Sequence, residues 1–106
     1  MSDLATVRLM DNKLVYIICD QGVEPDVMEV IKARGHEHYT RWGECQGSGE
    51  TGLREGTPVW PGLNAVILLV IEAPEVEPLV SQLHEMRDSF PMTPGLKLIV
   101  TDGILI

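Results

Sequence analysis

Three histidines, two cysteines and a glycine-rich stretch hold most of the side chains in this sequence that could do chemistry. His36 and His38 are two residues apart. On a strand they would point to one face, a spacing that suits two imidazole ligands of a divalent metal. Glu37 would point the other way, and Cys45 is out of phase with His38, so a third ligand would need a bulge or a neighbouring subunit. The plainer reading of the pair is polar surface at a helix–strand junction. His84 lies at a helical position where solvation explains it. A nucleophile such as Cys45 or Ser48 needs an oriented general base, and the spacing offers no triad, H-E-x-x-H, Walker A or paired-carboxylate pattern. Cys19 and Cys45 are too few for a disulfide framework and form no C-x-x-C. Cys19 ends an apolar run as a small hydrophobe. Cys45 opens the glycine stretch as a candidate ligand or redox handle.

That stretch runs from Gly43 to Gly62 and holds six of the ten glycines. Segments that read as strands flank it, and so long a connection is characteristic of a binding loop or of a tolerated insertion. Glycine permits positive φ and lets backbone N–H groups approach a ligand closely. Trp42 and Trp60 bracket the stretch as hydrophobic anchors, one of them a possible stacking partner for an adenine ring.

The elements that position these residues follow from periodicity. Residues 1–12 read as an N-terminal arm, and 13–106 as one domain. Lys13 to Asp20 is an uninterrupted apolar, β-branched strand stopped by Gln21 and Gly22. Glu24, Pro25 and Asp26 suit the first turn of a helix that Gly35 closes. His36 to Gln46 reads as a second strand running into the loop, and Leu63 to Ile71 as a third, apolar on both faces. Val76, Leu79, Val80, Leu83 and Met86 mark a second, amphipathic helix. Phe90 to Gly95 is a breaker-rich connection to a last strand from Leu96 to Val100, and the apolar Ile104-Leu105-Ile106 tail is expected to pack. The order predicts an α+β, ferredoxin-like βαββαβ sandwich with a long loop between the second and third strands.

Two helices can cover one face of such a sheet, yet the first and third strands are apolar on both. One-sided antiparallel strands normally alternate instead. Each exposed Val or Ile would forgo about 1.5–3 kcal/mol of burial, so self-association is expected. Apolar residues make up 44% and charged residues 23%, normal for a globular chain. With 16 acidic against 8 basic residues and a formal charge of −8, the surface repels phosphate backbones and anionic lipid, which argues against nucleic-acid and membrane partners. The longest apolar run, Ala65 to Ile71, is far short of a bilayer span, and a cytoplasmic location is expected.

From Lys13 to Thr101 the element order resembles the PII signal-transduction proteins and their PII-like relatives. Gly47-Ser48-Gly49 resembles the G-x-G at the base of the family's mobile T-loop, and Lys97-Leu98-Ile99-Val100 resembles the run opening its last core strand. Gly56 to Asn64 looks more like the divergent PII-like branch than the nitrogen-sensing members. The resemblance implies a non-enzymatic homotrimer with ligand clefts between subunits. Its effector would be an adenine nucleotide or a small anion, and its T-loop would signal to a target transporter or enzyme. The ligand environment it implies is Gly47, Gly49, Glu50, Thr51, Arg54 and Lys97. The family's glycine- and lysine-rich phosphate loop is replaced here by Pro91-Met92-Thr93-Pro94-Gly95-Leu96. The cations near the expected cleft are Arg41, Arg54 and Lys97, so AMP or ADP is favoured over ATP. Two alternatives remain: a trimeric divalent-metal-binding or cation-tolerance protein using His36 and His38, and a small dimeric ferredoxin-like enzyme.

Overall fold

The computed structural model describes residues 11–45, 47–49, 52–54 and 63–103. Strand β1 (Asn12–Asp20) leads through a 3-10 turn (Gln21–Val23) into helix α1 (Glu24–Ala33), and strand β2 (Tyr39–Cys45) follows. Two short strands, β3 (Gly47–Gly49) and β4 (Gly52–Arg54), precede β5 (Asn64–Glu72). A second 3-10 turn (Ala73–Glu75), helix α2 (Val76–Asp88) and strand β6 (Leu96–Asp102) complete the order. The main sheet runs β2-β5-β1-β6 with every neighbouring pair antiparallel, which is the ferredoxin-like arrangement. The expected arm at 1–12 and the apolar tail at 104–106 fall almost wholly outside the described residues.

Helix α1 is bounded by residues suited to its ends. Pro25 sits in the first turn, where no intrahelical N–H is lost, with Glu24 and Asp26 at the positive end of the dipole. At the other end Gly35 adopts φ 81°, its N–H bonds the Lys32 carbonyl at 2.9 Å, and the His36 N–H bonds the Ile31 carbonyl at 3.1 Å. This is a Schellman close, and it needs the glycine. It also corrects the expected start of the second strand: the His36 backbone is used to finish α1, and β2 begins only at Tyr39.

Burial alternates along β1 from Leu14 onward and along β5. Val15, Ile17, Cys19, Ala65, Ile67 and Leu69 are buried beneath Val27, Ile31, Leu79 and Leu83 of the two helices, and this layer is the core. The intervening residues, Leu14, Tyr16 and Ile18 on β1 and Val66, Leu68 and Val70 on β5, face the opposite way and are only partly buried. Register places Ile99 beside Tyr16 and Trp42 beside Val66 on that same face, where they are 46% and 47% exposed. Both helices pack on the first face, so this second, apolar face receives neither.

Charged pairs pin the margins. Lys13 and Asp102, opposite each other on β1 and β6, form an ion pair. Arg34 at the end of α1 reaches Glu75 at 3.5 Å and Gln82 at 3.3 Å, tying one helix to the other. Arg87 Nε donates to Asp88 at 2.9 Å, and that hydrogen bond holds the exposed Asp88 carboxyl below its ordinary range.

Leu83 is fully buried, and Leu83→Ala is expected to lower unfolding free energy by about 2–5 kcal/mol in a denaturant titration. Burial, with smaller repulsion from Glu24 and Asp20, pushes the Cys19 thiol up from 9.0 to about 12. In a Cys45→Ser background, native protein is therefore expected to resist iodoacetamide at neutral pH and to react once unfolded. The folded thiol binds its proton more tightly than the unfolded one, so its contribution to stability is complete below about pH 9 and is lost as pH rises toward 12.

Candidate functional site

Antiparallel pairing gathers four strand ends at one end of the sheet. Asp20 at the close of β1 lies opposite Asn64 at the start of β5, Cys45 at the close of β2 is also opposite Asn64, and Leu96 at the start of β6 is opposite Cys19. The backbone knits this end together. The Asp20 N–H donates to the Gly95 carbonyl at 3.0 Å, and the Gln21 N–H donates to the Leu63 carbonyl at 2.7 Å. The Gly95 N–H in turn donates to the Asp20 carboxylate at 2.7 Å. The glycine-rich stretch begins at this same end, where the register of β2 against β5 shifts between Trp42 and Cys45.

Part of that stretch is regular structure. Gly47 pairs with Arg54, Ser48 with Leu53 and Gly49 with Gly52, an antiparallel hairpin inside the segment expected to be loop. Gly47 and Gly49 are thus held in a ladder. Arg54 stands opposite Gly47 at the hairpin's foot. Glu50, Thr51 and Trp60 lie outside the described residues.

Lys97 is exposed on β6, where register sets it beside Ile18 on the helix-free face. Ile18, Val66 and Trp42 continue that row across the sheet. Three strand spacings of ~4.8 Å separate Lys97 from Trp42, or about 14 Å. Within one chain, then, Lys97 and Trp42 stand at opposite margins of one face. Trp42 is half exposed at its margin, and most of the loop it was expected to anchor lies outside the described residues.

Arg41 is placed differently from the expectation that grouped it with Lys97. Its register with Ile67 sets it on the helix side, where its guanidinium pairs with Glu24 at the start of α1. Glu24 is 8% exposed, and its Oε2 has no hydrogen-bond partner among the described residues. The pair stands in an open groove of about 730 Å³ between α1 and β2, walled by Met28, Tyr39 and Ala33 with Glu29 and Lys32 at its rim. Sequence reasoning had no means of finding this pair, because the partners are 17 residues apart on different elements.

His36 and His38 lie in the connection before β2 and not on the strand, so alternation does not set their relative direction. His36 is half-buried, and its Nε2 has no partner among the described residues; His38 is exposed. Among the described residues no group of three or more His, Cys, Asp or Glu side chains is arranged to hold a metal ion. No described helix is long and apolar enough to cross a membrane.

No family model matches the sequence, and no curated protein matches it. Solved structures do match. CPII from Thiomonas intermedia K12, a nitrogen regulatory PII-like protein bound to ADP, AMP and bicarbonate, superposes with a TM-score of 0.69 at 18% identity, over 86% of this chain and 88% of that one. A PII-like signalling protein from Thermus thermophilus gives 0.62 at 23% identity, over 87% and 89%. Arabidopsis thaliana PII bound to citrate gives 0.63 at 16% identity, over 85% and 75%. At such identities a likeness speaks for architecture, and the chain has the fold of the PII-like signalling proteins.

Proposed function

We propose that this protein is a divergent PII-like regulator, a non-enzymatic homotrimer of the cytoplasm. It binds a small effector, an adenine nucleotide such as AMP or ADP or a small anion, in clefts between subunits. The observation that carries this reading is the likeness to CPII over most of both chains. CPII is bound to ADP, AMP and bicarbonate, and Arabidopsis PII to citrate, which supports a small anionic ligand on this architecture.

Two features of the chain support the reading. The helix-free face presents Trp42, Tyr16, Leu68 and Ile99 to solvent or to another copy, and association would bury it. Association would also let Lys97 of one subunit approach the Trp42 margin of another, which a single chain keeps about 14 Å apart by strand spacing. The residues proposed for the ligand environment are Gly47, Gly49, Glu50, Thr51, Arg54 and Lys97. An effector that contacts only one conformation of the 43–62 segment would shift its population, and a target transporter or enzyme would read that shift.

Isothermal titration calorimetry against AMP, ADP, ATP and bicarbonate tests the effector. Saturable binding of AMP or ADP, weakened about tenfold or more by Lys97→Ala, is expected. Heats no larger than dilution across the whole panel would refute the nucleotide and bicarbonate assignment.

A further inference from the structure

The connection from α2 to β6 has few backbone donors to offer. Pro91 and Pro94 have no N–H. The Ser89 N–H is taken by the Glu85 and Met86 carbonyls, and the Phe90 N–H by the Arg87 carbonyl at 3.3 Å. The Gly95 N–H donates to Asp20 Oδ2 at 2.7 Å, while the Asp20 N–H returns to the Gly95 carbonyl at 3.0 Å. The clasp is close: a Cβ added at Gly95 would stand 2.8 Å from Asp20 Oδ1. Glycine is what allows the carboxylate to lie against the backbone there.

A carboxylate oxygen at hydrogen-bond distance from the Gly95 N–H uses a donor that would otherwise be open to an anion. The chain supplies that anion itself. The neighbouring side chain, Met92, is 86% exposed and apolar, and beyond it the loop carries no cation until Lys97. A phosphate brought to this loop would meet a fixed negative charge, an occupied donor and two residues without donors.

We infer that Asp20 is a specificity-determining residue. Its carboxylate takes the Gly95 backbone donor in the loop before β6 and sets a fixed negative charge there, so this end of the sheet disfavours a phosphate chain and, of the proposed nucleotides, favours AMP over ADP. The inference rests on reading this sheet end as part of the effector site. It deepens that reading by naming the residue that limits the ligand's phosphate chain.

The test is an NMR titration of the isotope-labelled full chain with inorganic pyrophosphate, read at the amides of Met92, Thr93 and Gly95. Wild type is expected to show no saturable shift at these amides. Asp20→Ala, which removes both the charge and the acceptor, is expected to bind pyrophosphate at least tenfold more tightly. Saturable binding at these amides in wild type, or no gain in the variant, would overturn the assignment. Should Asp20→Ala lose its fold by circular dichroism, Asp20→Asn removes the charge while keeping an acceptor, and the same gain or its absence decides. A parallel titration with AMP separates the two readings. Silence toward AMP in both proteins would count against the nucleotide effector, and the pyrophosphate comparison would still decide the role of Asp20.

Discussion

A sheet has two faces, and in this chain both are apolar while the helices cover one. The rest of the structure is arranged around that imbalance. On the helix side, Val15, Ile17, Ile67 and Leu69 are fully buried beneath Leu79, Leu83, Val27 and Ile31. On the other side, the alternate residues of the same strands are equally hydrophobic yet only partly covered, with Trp42 and Ile99 about half exposed. Each such side chain is worth about 1.5–3 kcal/mol when fully buried, so several together favour association by an amount comparable to the stability of a small domain. In the proposed trimer that face becomes shared interior, and the clefts between copies are where an effector would be held.

The same sheet decides which residues can meet. All four strands bring one end to a common edge, where the reciprocal bonds between Asp20 and Gly95 fix the start of β6 and the contact between Gln21 and Leu63 fixes the start of β5. Alternation then sorts the charged groups by face. Arg41 goes to the helix side and is engaged by Glu24, whereas Lys97 goes to the open side. Of the three cations grouped along the sequence, Arg41 is therefore neutralised within the chain, whereas Lys97 has no ion pair among the described residues.

Much of this was legible from residue order, and the reasons are local. The uninterrupted runs at Leu14–Cys19 and Ala65–Ile71 announced strands without a wet face. Pro25 and Gly35 marked the two ends of α1, and the spacing of Leu79 and Leu83 marked the buried stripe of α2. Other features were not legible. The hairpin at Gly47–Gly49 and Gly52–Arg54 has little apolar alternation to reveal it. The helix close at Gly35 used the His36 backbone, which moved the start of β2 to Tyr39 and removed the strand geometry on which pairing His36 with His38 depended. The contacts of Glu24 with Arg41 and of Asp20 with Gly95 join residues 17 and 75 positions apart, and no periodicity carries such information. The fold was therefore readable from short-range pattern, whereas the charge arrangement around the candidate site depended on register.

Sedimentation equilibrium of the full chain at micromolar concentration, without nucleotide, tests most directly whether the open face is shared interior. A mass of three copies, reduced toward one by Leu68→Glu on the helix-free face, is the predicted result. A folded protein sedimenting as a single 11.7 kDa chain would contradict the account.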